Sequence, residues 1–121
     1  MRVTQLNHVA IHVEDVQRTN DFYESVLGLE HIARPDFGFP GTWFRLGADQ
    51  ELHIIARENP NIDYPWDRHF ALKVDDIGAF EAHLKAKGIA YRGPHHRPDG
   101  ATQIFFKDPD GHVIELCTEP G

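Results

Sequence analysis

The chain has 121 residues, a formal net charge of −7, 40% hydrophobic residues and 26% charged residues. That length fits one domain with a core of its own, and the lone cysteine, Cys117, excludes an internal disulfide. The acidic balance argues against a nucleic-acid surface built on clustered Lys and Arg, and no apolar run reaches the length of a membrane span.

Met1–Ala10 lacks the apolar core of a signal peptide, so a cytoplasmic protein is expected. Nine histidines is a high number for this length, and their positions carry the argument. Val3–Val13 alternates apolar and polar residues as a half-buried strand does. His8, Ala10 and His12 share one face of it, and Val9, Ile11 and Val13 share the other. Asp15 is the expected N-cap of a helix running to about Leu27, with Gly28 as its stop. Leu29–Arg34 follows as a second strand.

Pro35–Gly41 is rich in Pro and Gly and carries two phenylalanines, which marks a loop that folds over a pocket. Thr42–Leu46 and Glu51–Ala56 are strands joined by the turn Gly47–Gln50. Arg57–Asp67 has two prolines and no periodicity, as a linker does.

The second half repeats the first. HVAIHVEDV from His8 aligns with HFALKVDDI from His69, matching at His, Ala, Val and Asp. Phe70–Val74 is a strand, Asp76 caps a helix over Ile77–Lys87, and Gly88 ends it. Ile89–Arg92 begins a strand, Gly93–Gly100 is a polar loop, Thr102–Lys107 is a strand, and the turn Asp108–Gly111 leads into Val113–Cys117. Each half is therefore strand, helix and three strands. The expected fold is α+β, with module 1 at residues 1–57, a linker at 58–67 and module 2 at 68–121. One module leaves a sheet face without cover, whereas two related by a pseudo-twofold can enclose a shared cavity.

The repeat also locates candidate ligands. His8 corresponds to His69, and aligning LHII with IELC places His53 on Glu115 at nearly the same offset. Each half thus offers one ligand on its first strand and one on its last. Three imidazoles and a carboxylate suit zinc, nickel, iron, cobalt or manganese. His12, His31, His83 and His112 have no repeat-equivalent partner and read as structural, and His95 and His96 read as solvated loop residues.

From LNHVAIHVEDVQRTNDFYESVLGL through RHFALKVDD to FFKDPDGHVIEL, the chain resembles the vicinal oxygen chelate superfamily. That superfamily includes glyoxalase I, fosfomycin-resistance proteins, methylmalonyl-CoA epimerase, extradiol dioxygenases and bleomycin-resistance proteins. The resemblance implies paired βαβββ modules forming an open mixed β-barrel around one divalent metal, held by His8, His53, His69 and Glu115. Glu51 rivals His53, because it lies on the same strand face and glyoxalase I has a glutamate at the corresponding site.

The resemblance further implies a small substrate chelated through two neighbouring oxygens, in an isomerase, lyase or dioxygenase reaction, with Glu115 as base or ligand. Comparison with fosfomycin-resistance proteins turns Trp43, Arg45, Gln103 and Phe105 toward the substrate. In this reading Arg45 anchors an anionic group; the alternative is a surface pair with Asp49. Ala10 stands where those proteins have a threonine, which departs from their transferase pattern. A homodimer is expected, and the alternative to an enzyme is a metal-free protein that sequesters a drug or metabolite.

Overall fold

The computed structural model describes residues 1–121. The chain divides into two compact units, Met1–Asn61 and Ile62–Gly121. Each is a βαβββ module, and no helix is long and apolar enough to cross a membrane.

Unit 1 contains β1 (His8–Val13), α1 (Val16–Val26), β2 (His31–Ile32), β3 (Gly41–Leu46) and β4 (Gln50–Ala56). Its sheet runs β1-β4-β3-β2, with β1 parallel to β4 and the other pairs antiparallel. Asp15 caps α1 by accepting from the backbone N–H of Arg18 at 3.0 Å, which satisfies one of the helix's orphan donors. Gly28 adopts the left-handed conformation (φ 63°) that turns the chain out of the helix.

Strand alternation then divides the sheet into two faces. Ile11, Val13, Phe44, Leu52 and Ile54 are buried, as are Thr19, Tyr23 and Val26 of α1, which packs on β3 and β4. Each large side chain among them contributes about 1.5–3 kcal/mol on burial. The opposite face carries His8, Trp43, Arg45, Glu51 and His53, all of them only partly covered or exposed.

Unit 2 contains β5 (His69–Lys73), α2 (Ile77–Ala86), β6 (Tyr91–His96), β7 (Thr102–Lys107) and β8 (Val113–Cys117). Its sheet has the same plan, β5-β8-β7-β6, with β5 parallel to β8. Asp76 caps α2 through the N–H of Ala79 at 2.9 Å. Leu84, Ile104, Phe106, Ile114 and Leu116 form the core. The turn between β7 and β8 is closed by Asp108, whose Oδ1 accepts from the N–H groups of Asp110, Gly111 and His112, each at 3.0 Å.

The registers of the two sheets match. In unit 1, Ala10 faces His53, which faces Trp43; in unit 2, Ala71 faces Glu115, which faces Phe105. His53 and Glu115 therefore occupy equivalent positions, while Glu51 corresponds to Val113.

Three elements depart from the sequence expectation. The first strand begins at His8 rather than Val3, because the pairing of β1 with β4 begins at His8 opposite Glu51. The expected strand Leu29–Arg34 shortens to the two residues of β2, which pair with Trp43 and Phe44. Conversely, β6 runs through Gly93 and Pro94 to His96, so His95 and His96 are strand residues rather than loop residues. Pairing with β7 overrides the turn-forming composition, at the cost of a register shift between Arg92 and His95.

Candidate functional site

In unit 2 the candidate ligands His69 and Glu115 meet directly. Nε2 of His69 lies 2.8 Å from Oε1 of Glu115. Nδ1 of His69 donates to the backbone carbonyl of Trp66 at 2.9 Å. The second carboxylate oxygen, Oε2, accepts from Nε2 of Gln103 at 3.1 Å. The ring of Phe105 meets His69 edge-on at 5.1 Å between centroids. Glu115 is only 5% exposed, yet both of its oxygens have partners, which is what a buried carboxylate needs.

Trp66 is itself held. Its ring lies 4.3 Å from the Arg92 guanidinium carbon and 4.8 Å from Nζ of Lys107, and Arg68 stands 3.9 Å over the neighbouring Tyr64 ring. Two strand residues and an arginine thus fix a segment that has no regular secondary structure of its own.

In unit 1 the arrangement is a stack. The His53 ring lies between His8, at 4.2 Å, and Trp43, at 4.1 Å and only 3° from parallel. Nδ1 of His8 donates to the Asn7 side-chain oxygen at 2.8 Å, which leaves its Nε2 as the free lone pair. Nε2 of His53 is 2.9 Å from Oε1 of Glu51, so these two rivals converge on one point. Arg45 lies opposite Glu51 in the β3–β4 register.

The structure therefore brings Trp43, Gln103 and Phe105 into contact with candidate ligands and places Arg45 on the Trp43 face. Within each unit the ligand types come as pairs, and no three or more His, Cys, Asp or Glu side chains form a set arranged to hold a metal. The donor chemistry fits a divalent cation. The pairs combine imidazole nitrogen with carboxylate, and the first-strand histidines have Nδ1 engaged by an oxygen, the usual way of presenting Nε2 to a metal.

Sequence reasoning missed Asn7 and Trp66. Asn7 directly precedes His8, a signal open to reading; the Trp66 contribution is a backbone carbonyl, which leaves no trace in residue type. Among the remaining histidines, His31 lies 3.8 Å from Glu24, His96 bonds Thr102 at 3.2 Å, and His112 is buried beside Tyr64.

The fold defines a class. The chain belongs to the Glyoxalase/Bleomycin resistance protein/Dioxygenase superfamily, whose profile matches residues 5–116. It is 32% identical to Glyoxylase I 4 of Arabidopsis thaliana, covering 97% of this chain and 72% of that protein. It is 30% identical to human mitochondrial methylmalonyl-CoA epimerase, covering 93% and 72%. Among solved structures, a Bacillus anthracis protein assigned to the glyoxalase family superposes with a TM-score of 0.84 at 28% identity, covering 98% and 97% of the two chains.

Proposed function

We propose that this chain is a divalent-metal-dependent enzyme of the glyoxalase type, an isomerase or lyase acting on a small substrate chelated through two neighbouring oxygens. The metal ligands are His8, His53, His69 and Glu115, supplied by one chain or by two chains of a homodimer. The observation that carries the reading is the His69–Glu115 pair, in which Nε2 and Oε1 face each other at 2.8 Å while Nδ1 is tied to Trp66. An imidazole nitrogen and a carboxylate oxygen that face each other in this way are donor atoms suited to a divalent cation.

A divalent metal held by these residues would supply a Lewis acid for the two substrate oxygens. The chain's own residues do the rest. Glu115 would act as base by withdrawing Oε1 from the metal to take a proton from the substrate carbon, while Gln103 donates to Oε2. Arg45 binds an anionic group of the substrate, and Trp43 and Phe105 are the apolar substrate contacts of their respective units.

Elemental analysis of protein purified without a histidine tag tests this, with about one divalent ion expected per site. Protein stripped with a chelator should regain thermal stability on adding zinc, nickel, manganese, cobalt or iron. A preparation that holds no metal and gains nothing from any of these ions defeats the proposal. Turnover dependent on iron and dioxygen would replace the isomerase or lyase reading with a dioxygenase.

A further inference from the structure

The connection between β2 and β3 leaves two aromatic rings about half exposed. Phe37 is 51% exposed and Phe39 46%; the other large exposed apolar side chains, Met1, Val3 and Leu6, all precede β1. A loop that serves only to connect two strands turns such rings inward, because each exposed ring forfeits its burial energy. This loop instead holds them out. Oδ1 of Asp36 accepts from the Gly38 N–H at 2.9 Å, and Nη1 of Arg34 donates to the Phe39 carbonyl at 3.1 Å.

The rings continue into the candidate site. Phe39 and Phe37 are 5.9 Å apart and 28° from parallel, and Phe37 is 5.9 Å from Trp43. Trp43 in turn lies flat on His53. A chain of ring-to-ring contacts, tilted by 43° between Phe37 and Trp43, therefore runs from the exposed loop to a proposed metal ligand. The Arg34 guanidinium carbon stands 5.0 Å from the centroids of both phenylalanines.

We propose that this row seats an aryl group of the substrate. Trp43 occupies the interval between Phe37 and His53, so a ring resting on Phe37 and Phe39 lies beyond the indole, away from the ligands. The substrate class is accordingly an arene that carries its chelating oxygens on a substituent, not on the ring that stacks. Arg34 beside the rings favours an electron-rich or anionic arene. The placement of the oxygens rests on the metal-dependent reading above; the seating of the ring does not.

The test separates the two. Chelator-stripped Trp66→Phe protein leaves Trp43 as the single indole, since the chain has two tryptophans. Naphthalene-1-sulfonate, which is flat and anionic, is titrated against its fluorescence. Saturable quenching is expected, weakened about threefold to tenfold by Phe37→Leu and again by Phe39→Leu, which keep apolar bulk but lose the aromatic face. Arg34→Gln should weaken the sulfonate more than a neutral naphthalene alcohol. Three results overturn the proposal: no saturable quenching, equal binding by the double leucine variant, or quenching that weakens as protein concentration rises because a second copy covers the rings. Protein that binds the probe but no metal keeps the aryl seat and defeats the metal-dependent reading. Protein that binds metal but not the probe does the reverse.

Discussion

The backbone carbonyl of Trp66 accepts from Nδ1 of His69 at 2.9 Å, while Arg92 and Lys107 both stand against the indole of the same residue. A side-chain clamp on one part of Trp66 thus sets the imidazole orientation through another part. Each cation contributes about 0.5–1 kcal/mol to holding an exposed ring. Outer contacts of this kind typically change metal affinity about 10–100-fold when lost. Trp66→Ala should therefore weaken metal binding roughly tenfold in a chelator competition, with an unchanged far-ultraviolet dichroism spectrum. Trp66→Phe, which keeps a ring for the two cations, should restore most of the loss. Equal affinity in Trp66→Ala would show that the carbonyl holds its place without the clamp.

Glu115→Gln tests the base. The substitution is nearly isosteric, and its neighbours Ile114 and Leu116, both fully buried, keep the strand in the core. Turnover should fall by about 10²-fold or more, because the amide takes up no proton. Denaturant midpoints should stay close to those of the wild type. Turnover retained in this variant would remove Glu115 from the chemistry whatever it does for the metal.

The two modules were legible because local signals and the fold agree. Asp15 and Asp76 cap helices where the sequence places them, and strand alternation separates core from open face in unit 1 and along β5 and β7, whereas β8 is buried on both faces. The failures have one cause. Strand limits are decided by the partner strand, which local composition does not describe. β1 thus loses its expected start, β2 shrinks to His31–Ile32, and β6 extends across a Gly-Pro pair to His96. The rivalry of Glu51 and His53 was equally real in physical terms, since residues two apart share a strand face and here touch.

That rivalry now has a structural measure. His53 occupies the position that Glu115 holds in unit 2, whereas Glu51 occupies that of Val113. If His53 is the ligand and Glu51 only its hydrogen-bond partner, His53→Ala should lower metal affinity by about tenfold or more and Glu51→Gln much less. Isothermal titration of stripped protein with zinc reads both. The opposite order would make Glu51 the ligand and place two carboxylates at the metal.

The hydroxyl of Tyr91 on β6 donates to Oε2 of Glu81 on α2 at 2.6 Å, tying the helix of unit 2 to its sheet. The hydrogen bond to Glu81 is the main cause that lifts the Tyr91 phenol above its ordinary range, with desolvation and the Glu81 charge adding to it and Lys85 opposing. Folding therefore favours the neutral phenol. Its contribution is complete below the unfolded tyrosine pKa of about 10 and disappears as pH rises through the higher folded value. Urea midpoints of wild type and Tyr91→Phe should differ by a constant amount at neutral pH and converge in the alkaline range. Phenolate absorbance should show one raised tyrosine transition missing from the variant. A stability difference that persists unchanged beyond that transition would mean Tyr91 stabilises the unit through packing of its ring alone.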